Sequence, residues 1–238
     1  MGKDTCQRLY TKLNKANKML FTRAIEQIKE DIKTIYDKDP AANNIFEVLL
    51  CYPGLHALIL HRIAHKLKYW NIPIIPRMIS YFSRILTGIE IHPSARIGRR
   101  FFIDHGMGVV IGETTYIGDD VLIYQGVTLG GTGKEHGKRH PTLEDNVIVG
   151  AGAKVLGNLT IGKNSRIGAG SVVVEDIPEN STVVGIPGRV VHQRIMVDGQ
   201  LMHNRMPDPV KCQINRLTYE VAEIKEQLNI TTSPKTDC

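Results

Sequence analysis

His105 is the residue whose type and position most strongly suggest chemistry. It lies two places after Ile103, at a point where a regular six-residue pattern of aliphatic residues is interrupted, so its side chain should point away from the core. A neutral imidazole can accept a proton from an alcohol near neutral pH, and a carboxylate behind the ring would stabilise the imidazolium. Glu90, fifteen residues earlier, is the candidate for that carboxylate. The alternative interpretation is a solvated surface histidine without a role.

A second interruption of the pattern lies between Leu129 and Val149 and includes residues 130–141, with Arg139 and His140 among them. A packed repeat has no structural need for either interruption, and loops on a rigid scaffold often carry function. Both interruptions bring histidine and charge. We therefore expect a functional site built from these two loops.

Four histidines raise the question of a zinc site: His92, His105, His136 and His140. Three histidine ligands would have to converge on one point. The second loop is rich in glycine, and Lys134, Lys138 and Arg139 would oppose a cation there. The pattern therefore indicates a site without a metal.

The glycine-rich residues 130–134 suggest a phosphate-binding loop, but the spacing excludes that interpretation. Thr128 replaces the glycine required five residues before Gly133, and Glu135 stands where serine or threonine should follow the lysine. A glycine-rich turn beside a pantetheine arm is the alternative that stays open.

The middle of the chain carries a six-residue repeat, which predicts a parallel β-helix. The aliphatic positions fall six apart within three groups: Ile91, Ile97 and Ile103; Ile111, Ile117, Ile123 and Leu129; Val149, Val155, Ile161, Ile167 and Val173. Glycine often follows directly, and small or apolar residues stand four places later. Each hexapeptide would supply one short strand with its aliphatic side chain inward, while glycine relieves the corner.

Helical patterns precede the repeat and follow it. We expect an all-helical domain over residues 1–88, the β-helix domain over 89–191, and a tail over 192–238 with a helix near 209–228. In the first domain, one helical run is expected to stop at residues 37–40, a second to cover Ile45 to Trp70 with a break at Pro53-Gly54, and a third to follow Pro76 and end at Gly88. The apolar stripe of the tail helix fits packing on its own subunit and three-stranded association equally well.

The bulk composition favours an ordinary globular enzyme. The formal net charge is +6, but the basic residues are scattered and form no basic helix face with interleaved aromatics. No apolar stretch reaches membrane-spanning length, and residues 1–20 lack a secretory signal. The four cysteines form no CxxC pair and no zinc spacing, which indicates free thiols. These features predict a cytoplasmic protein that binds neither nucleic acid nor membranes.

The motifs together resemble the serine O-acetyltransferase family, from about residue 20 to residue 192. The segments that carry the resemblance are Asp39-Pro-Ala, Tyr52-Pro-Gly-Leu-His-Ala, Ile91-His-Pro-Ser-Ala-Arg-Ile-Gly, Ile103-Asp-His-Gly-Met-Gly-Val-Val-Ile-Gly-Glu, Gly126-Val-Thr-Leu-Gly-Gly-Thr-Gly-Lys, Lys138-Arg-His-Pro and Val184-Gly-Ile-Pro-Gly-Arg. Many acyltransferases share the hexapeptides, whereas the segments around His105 and Arg139, together with the Asp39-Pro-Ala motif, are highly specific.

The resemblance implies a left-handed parallel β-helix and an enzyme that transfers acetyl from acetyl-CoA to the hydroxyl of L-serine. The product would be O-acetylserine for cysteine biosynthesis. It implies that His105 is the general base and that Glu90, at a position where the family usually has aspartate, is its partner. Transfer would be direct, within a ternary complex and without a metal.

The resemblance also implies binding roles. Asp39 and Asp104 would bind the ammonium group of serine, and Arg139 and His140 would bind its carboxylate, for which an arginine fork is well suited. The positions that match the lining of the CoA arm are Gly131, Ala151 and Ala169.

Partners follow from the resemblance as well. Family members form trimers with a site between neighbouring coils, the helical regions can pair trimers into hexamers, and L-cysteine often inhibits. Many insert a tail ending in isoleucine into O-acetylserine sulfhydrylase, but here Ile230 is followed by eight further residues. The rivals are an acetyltransferase for sugars, a zinc-dependent hydration enzyme and a non-catalytic binding module; the first predicts no role for Asp39 or Arg139.

Overall fold

The structure is a computed structural model that describes residues 22, 25–133, 136–191, 196–197, 200–201 and 209–227. Helices come first in the described chain, parallel sheets follow, and a further helix comes last. This order confirms the predicted succession of an α-helical region and a parallel β region.

Among the described residues, four helices precede the sheets and one follows them: α1 (residues 25–38), α2 (Ile45–Cys51), α3 (Pro53–Tyr69), α4 (Ile75–Thr87) and α5 (Pro209–Gln227). The expected break near Pro53 is confirmed, because α3 begins there. Asn44 caps α2, since its side-chain oxygen accepts a hydrogen bond from the N–H of Phe46 at 2.9 Å. Gly88 ends α4 in the left-handed conformation. By length and hydropathy, no single helix in the described ranges could cross a membrane, although α2 and α3 meet that test as a pair bent by 63°.

The sheets consist of strands of two or three residues: β1 (Glu90–Ile91), β2 (Arg96–Ile97), β3 (Phe102–Ile103), β4 (Val110–Ile111), β5 (Tyr116–Ile117), β6 (Leu122–Ile123), β7 (Thr128–Gly130), β8 (Thr142–Leu143), β9 (Ile148–Val149), β10 (Lys154–Leu156), β11 (Thr160–Ile161), β12 (Arg166–Ile167), β13 (Val172–Val173), β14 (Thr182–Val184) and β15 (Arg189–Val191). Two further strands, β16 (Met196–Val197) and β17 (Gln200–Leu201), pair with each other in antiparallel orientation.

Through β13, strands three positions apart in the chain pair in parallel, so the backbone coils around three sheets. The first sheet has the order β1-β4-β7-β10-β13, the second β2-β5-β8-β11, and the third β3-β6-β9-β12-β14 with β15 added in antiparallel orientation. The chain passes from the third sheet to the first along one edge, which we call edge 3–1. It passes from the first sheet to the second along another, which we call edge 1–2.

The aliphatic residues of the repeat point into the coil, as predicted. Eleven of the twelve are at most 4% exposed, and Ile97 is partly buried. Leu143 corrects the sequence analysis, because it is fully buried in β8, between Ile117 and Ile161 of the neighbouring coils. The repeat therefore resumes one hexapeptide earlier than predicted, and the loop that leaves the coil is confined to residues 131–141.

The glycines that follow the inward aliphatics were expected to relieve tight corners through their conformational freedom, but the structure gives another reason for them. Gly150 and Gly162 are not in the left-handed region, so conformational freedom does not explain them. A Cβ at Gly150 would lie 2.6 Å from the nitrogen of Ala169, and one at Gly162 would lie 2.4 Å from the nitrogen of Glu179. These glycines are required because the backbone of the next coil approaches closely.

Gly54 determines how the helices contact the coil. A Cβ at this position would lie 2.3 Å from the carbonyl oxygen of Ile103, so the beginning of α3 rests directly on the backbone of β3. Phe102 points outward from the same strand and packs with Ile35 of α1 and Val48 of α2. This contact brings the helical region beside the turn that follows β3.

Candidate active site

Edge 3–1 carries His105 in the turn between β3 and β4. His105 has a φ of 57°, and its side chain is 74% exposed, so the ring points away from the core as predicted. Its Nε2 lies 3.9 Å from Oδ1 of Asp104. The lengthened turn thus presents an accessible imidazole beside a carboxylate.

Asp39 reaches the same edge from the segment that follows α1. One of its oxygens accepts a hydrogen bond from the N–H of Ala41 at 2.8 Å, and the other accepts one from the hydroxyl of Tyr52 at 2.6 Å. The negative charge of Asp39 contributes to raising the pKa of Asp104. Burial and the charges of Asp104 and Asp39 together raise the pKa of Tyr124. We call Asp39 and Asp104 the acidic cluster.

The two carboxylates of the acidic cluster lie close enough for their charges to interact. Burial raises the pKa of Asp104; His105 acts against this shift, and the like charge of Asp39 adds to it. Burial and the hydrogen bond to Asp39 also raise the pKa of Tyr52. Within the described chain, neither carboxylate of the cluster pairs with a lysine or arginine. An ammonium group would be attracted to this edge.

Glu90 lies in β1, where its carboxylate accepts a hydrogen bond from Nη1 of Arg84 at 3.1 Å. The carboxylate beside the His105 ring is that of Asp104. The pairing of Glu90 with His105 therefore stays a prediction.

Edge 1–2 carries Arg139 and His140, which we call the basic pair, at the end of the long loop. Nη2 of Arg139 donates a hydrogen bond to Oε2 of Glu113 at 2.6 Å. His140 is 8% exposed, and its ring occupies space that only glycine leaves open. A Cβ at Gly112 would lie 1.9 Å from Cδ2 of His140, and one at Gly131 would lie 3.2 Å from its Nε2.

Thr114 holds the basic pair in place. Its hydroxyl oxygen accepts hydrogen bonds from the N–H of Arg139 at 3.0 Å and from the N–H of His140 at 3.1 Å. Its own N–H donates to Nδ1 of His140 at 3.2 Å, and its hydroxyl lies 2.9 Å from the same nitrogen. Because a backbone N–H can only donate, Nδ1 is an acceptor, and the proton of the neutral ring is on Nε2.

The surroundings of His140 favour that neutral ring. Burial lowers its pKa, and the charges of Arg139 and Lys138 act in the same direction, whereas Glu113 opposes them. The basic pair then offers two kinds of hydrogen-bond donor, the Nε2–H group of His140 and the guanidinium of Arg139. This combination suits a carboxylate or another planar anion.

Sequence reasoning missed Tyr52, Glu113 and Thr114 as site residues. Glu113 stands two places after the inward Ile111, the same offset that identified His105, so this signal was present. Thr114 gave no signal, because its partners lie 25 and 26 residues away in the chain.

The predicted site residues form two groups on different edges of one coil. The turn between β3 and β4, with His105, lies on edge 3–1, whereas the basic pair is bonded to the turn between β4 and β5 on edge 1–2. Ala151 and Ala169 lie in successive turns of edge 3–1, and Gly131 lies on edge 1–2. No three His, Cys, Asp or Glu side chains of the described residues come together as a metal site.

Comparison with known proteins gives matches along most of the chain. Residues 140–174 match the family described as "Bacterial transferase hexapeptide (six repeats)", and residues 1–59 match "Serine acetyltransferase, N-terminal". The serine acetyltransferase of Synechococcus elongatus is 59% identical over 198 residues, which cover 83% of this chain and 81% of the relative. That of Bacillus subtilis is 58% identical over 202 residues, 84% of this chain and 93% of the relative.

Solved structures with the same fold include three serine acetyltransferases with bound small molecules. The Neisseria gonorrhoeae enzyme in complex with serine has a TM-score of 0.69 and 42% identity, covering 71% of this chain and 69% of that one. The Brucella abortus enzyme in complex with coenzyme A has a TM-score of 0.70 and 39% identity, covering 79% and 74%. A serine acetyltransferase in complex with cysteine has a TM-score of 0.70 and 42% identity, covering 71% and 70%.

A parallel coil of hexapeptides preceded by helices, with histidines in its two irregular turns, defines a hexapeptide-repeat acyltransferase. Within that class, the identities of 58 and 59% to two serine acetyltransferases, over more than four-fifths of the chain, determine the family. The chain belongs to the serine acetyltransferase family.

Proposed function

We propose that this chain transfers the acetyl group of acetyl-CoA to the hydroxyl of L-serine. The relatives support the reaction, and the neighbours with bound serine and bound coenzyme A support the two substrates. The observation that carries the proposal is the charge pattern of the two edges. A cation-attracting acidic cluster with an exposed imidazole and an anion-binding basic pair together match both ends of a zwitterionic alcohol.

Recognition of serine follows from this pattern. Asp39 and Asp104 bind the ammonium group, and Tyr52 holds the Asp39 carboxylate through its hydroxyl. The guanidinium of Arg139, whose Nη2 already donates to Glu113, binds the carboxylate through its remaining N–H groups, together with the Nε2–H of His140. The hydroxyl of serine is then directed at the exposed ring of His105.

His105 acts as the general base in a direct transfer. Its ring takes the proton of the serine hydroxyl while that oxygen attacks the thioester carbonyl carbon of acetyl-CoA. The tetrahedral intermediate collapses with cleavage of the carbon–sulfur bond, and the imidazolium returns the proton to the departing thiolate. Glu90 or Asp104 stabilises the imidazolium; Glu90 is the partner that the family resemblance implies, and Asp104 is the nearer carboxylate, at 3.9 Å.

The complete site requires two copies of the chain, because its halves occupy different edges of one coil. In a three-fold homotrimer, edge 3–1 of one subunit can face edge 1–2 of the next, which produces three equivalent sites. The coil of this chain would be left-handed, as the family resemblance implies. The helical regions would pair two trimers into a hexamer.

The CoA arm runs along the same interface. Ala151 and Ala169 present small side chains in successive turns of the edge that carries His105, so an extended pantetheine could lie against them. Gly131 approaches from edge 1–2 beside the basic pair. No metal takes part in the proposed reaction.

Regulation and partners complete the proposal. Cysteine would occupy the serine site as an inhibitor, which the cysteine-bound neighbour supports. The end of the chain, residues 228–238, lies outside the described residues, and a complex with O-acetylserine sulfhydrylase stays a prediction. We also propose that the domains end after residues 88 and 191, and that the protein is cytoplasmic.

Acceptor selectivity tests this function. Thiol release from acetyl-CoA should be fastest with L-serine, much slower with ethanolamine, which lacks the carboxylate, and slower with 3-hydroxypropanoate, which lacks the ammonium. Arg139→Gln should reduce the preference over ethanolamine, and Asp39→Asn should reduce the preference over 3-hydroxypropanoate. Preference for a sugar hydroxyl, with neither variant affected, would refute the proposed substrate.

Binding of serine is expected to weaken on the acid side at a higher pH than an ordinary aspartate would give. The ammonium binds ionised Asp104, whose pKa is raised by burial and by Asp39, so the affinity for serine falls as pH decreases through that raised pKa. Asp39→Asn removes the like charge, so the weakening should move to lower pH even though the Kd of serine rises. The measurement is the Kd of serine against pH by titration calorimetry in the His105→Asn background, where the general base cannot contribute to the pH dependence. Weakening that stays at the same pH after Asp39→Asn would contradict the assignment.

A further inference from the structure

Four successive turns of edge 3–1 place equivalent residues in a column along the coil. In the first three turns the backbone carbonyl of the column residue accepts a hydrogen bond of 2.8 Å from a glycine N–H of the next turn; the three donors are Gly126, Gly152 and Gly170. Each of these glycines directly follows the next column residue. The column therefore consists of Met107, Gln125, Ala151 and Ala169. Since Ala151 and Ala169 are the residues assigned to the CoA arm, Gln125 continues the track of that arm by one coil.

His105 lies at the end of this track. It is one of two extra residues that stand between Asp104 and the column residue Met107. Gln125 occupies the column one coil further on, and neighbouring coils are separated by roughly 4.8 Å, the spacing of paired strands. The side chain of Gln125 therefore starts one coil away from the turn of His105, on the side from which the CoA arm arrives.

The amide group of Gln125 is available to a ligand. The side chain is exposed, and it forms no hydrogen bond to another residue of the described chain. A glutamine amide carries two N–H donors. Solvent would satisfy them on any exposed surface, so exposure alone assigns no role, and the position between the general base and the CoA arm is what distinguishes this glutamine.

The charges around this position make a hydrogen-bond donor necessary. Attack on the thioester places a negative charge on the carbonyl oxygen, close to the carboxylates of Asp39 and Asp104, which oppose it. Donors directed at the oxyanion offset such a charge. In the four turns of the column, residues 104–109, 124–127, 150–153 and 168–171, Gln125 supplies the only side-chain N–H group besides that of His105. Because the amide is neutral, it does not compete with the ammonium of serine for the carboxylates.

We propose that the side-chain amide of Gln125 donates a hydrogen bond to the thioester carbonyl oxygen of acetyl-CoA and stabilises the oxyanion that forms there. This role rests on the proposed function, because it needs the acetyl group beside His105. Nothing is transferred to Gln125. The serine oxygen bonds to the carbonyl carbon and its proton passes to His105; the electron pair of the oxyanion then re-forms the carbonyl as the carbon–sulfur bond breaks.

Gln125→Leu tests the assignment, since leucine has a similar size but no donor. The kcat with serine and acetyl-CoA should fall about a hundred- to a thousandfold, the usual effect of removing one donor to an oxyanion. The KM for serine and the Kd of CoA, measured by titration calorimetry, should stay within about threefold, because the hydrogen bond strengthens in the transition state. Gln125→Glu keeps the shape but presents an anionic acceptor, and its kcat should fall at least as far.

Gln27→Leu is the matched control. Gln27 is an exposed glutamine of α1, outside both edges, and its replacement should leave kcat unchanged. Normal kcat in folded Gln125→Leu, with an unmodified chain that acetylates serine, would remove Gln125 from the mechanism and leave the proposed function intact. Weaker binding of CoA with unchanged kcat would assign the amide to the CoA arm instead and overturn the proposal. An unmodified chain that releases no thiol with serine would overturn both.

Discussion

Replacing His105 with asparagine is expected to lower kcat by about a hundred- to ten-thousand-fold, the usual contribution of a general base. Asparagine suits this position because His105 has a φ of 57°, a left-handed conformation that asparagine tolerates better than alanine does. The chain itself has asparagine at φ values of 56° and 59° in other corners of the coil, at Asn146 and Asn164. The variant therefore removes the proton acceptor without adding backbone strain. Steady-state kinetics with serine and acetyl-CoA measure the effect.

His56→Asn is the matched control for this substitution. His56 is a partly buried histidine of α3 whose Nε2 lies 2.7 Å from the carbonyl oxygen of Leu49, and its replacement should leave kcat unchanged. The thermal unfolding temperature of His105→Asn should equal that of the unmodified chain, because the His105 side chain is 74% exposed. Normal turnover by the folded variant would remove His105 from the mechanism.

Mixing two impaired variants extends the test to the assembly. Chains with His105→Asn retain an intact edge 1–2, and chains with Arg139→Gln retain an intact edge 3–1. If neighbouring subunits share each site, random mixing restores about one site in four. Activity that stays at the level of the separate variants would show that each chain builds its site alone, against the arrangement of the two edges.

The sequence predicts the coil well because every hexapeptide repeats the same physical requirement. An inward aliphatic such as Ile123 stacks between its equivalents in the coils before and after it, so a single period is visible along the whole repeat. The inward position of Leu143 was not predicted, because the long loop before it interrupts the six-residue period. Only the pairing of Leu143 with Ile117 shows that the repeat has resumed. Local periodicity cannot reveal where a loop returns to the coil.

The candidate site was predictable only in part, for a similar reason. His105 and Arg139 are conspicuous because they are functional residue types in breaks of the pattern. That the acidic cluster with His105 and the basic pair lie on different edges could be recognised only from the strand order of the three sheets. Contacts between distant segments, not residue types, determine these features.

Thr114→Val is expected to lower kcat/KM for serine by about ten- to a hundredfold, mainly through KM. Valine has nearly the same shape but cannot accept the N–H groups of Arg139 and His140, which the hydroxyl oxygen accepts at 3.0 and 3.1 Å. Each unpaired donor costs about 1–3 kcal/mol, so the end of the loop should move and the basic pair should lose its position. Binding of the serine carboxylate contributes to the ground state and the transition state alike, which is why KM should change more than kcat.

The same substitution should also change the state of the His140 ring. Only the backbone N–H of residue 114, at 3.2 Å from Nδ1, would still favour the proton on Nε2; the hydroxyl at 2.9 Å would be gone. Nitrogen-15 NMR of the ring should show a larger population with the proton on Nδ1, in which Nε2 can no longer donate to a carboxylate. Thr114→Ser keeps the hydroxyl and should restore both KM and the ring signals. If serine at position 114 behaves like valine, the hydroxyl has no positioning role; if valine behaves like threonine, the backbone N–H alone fixes the ring.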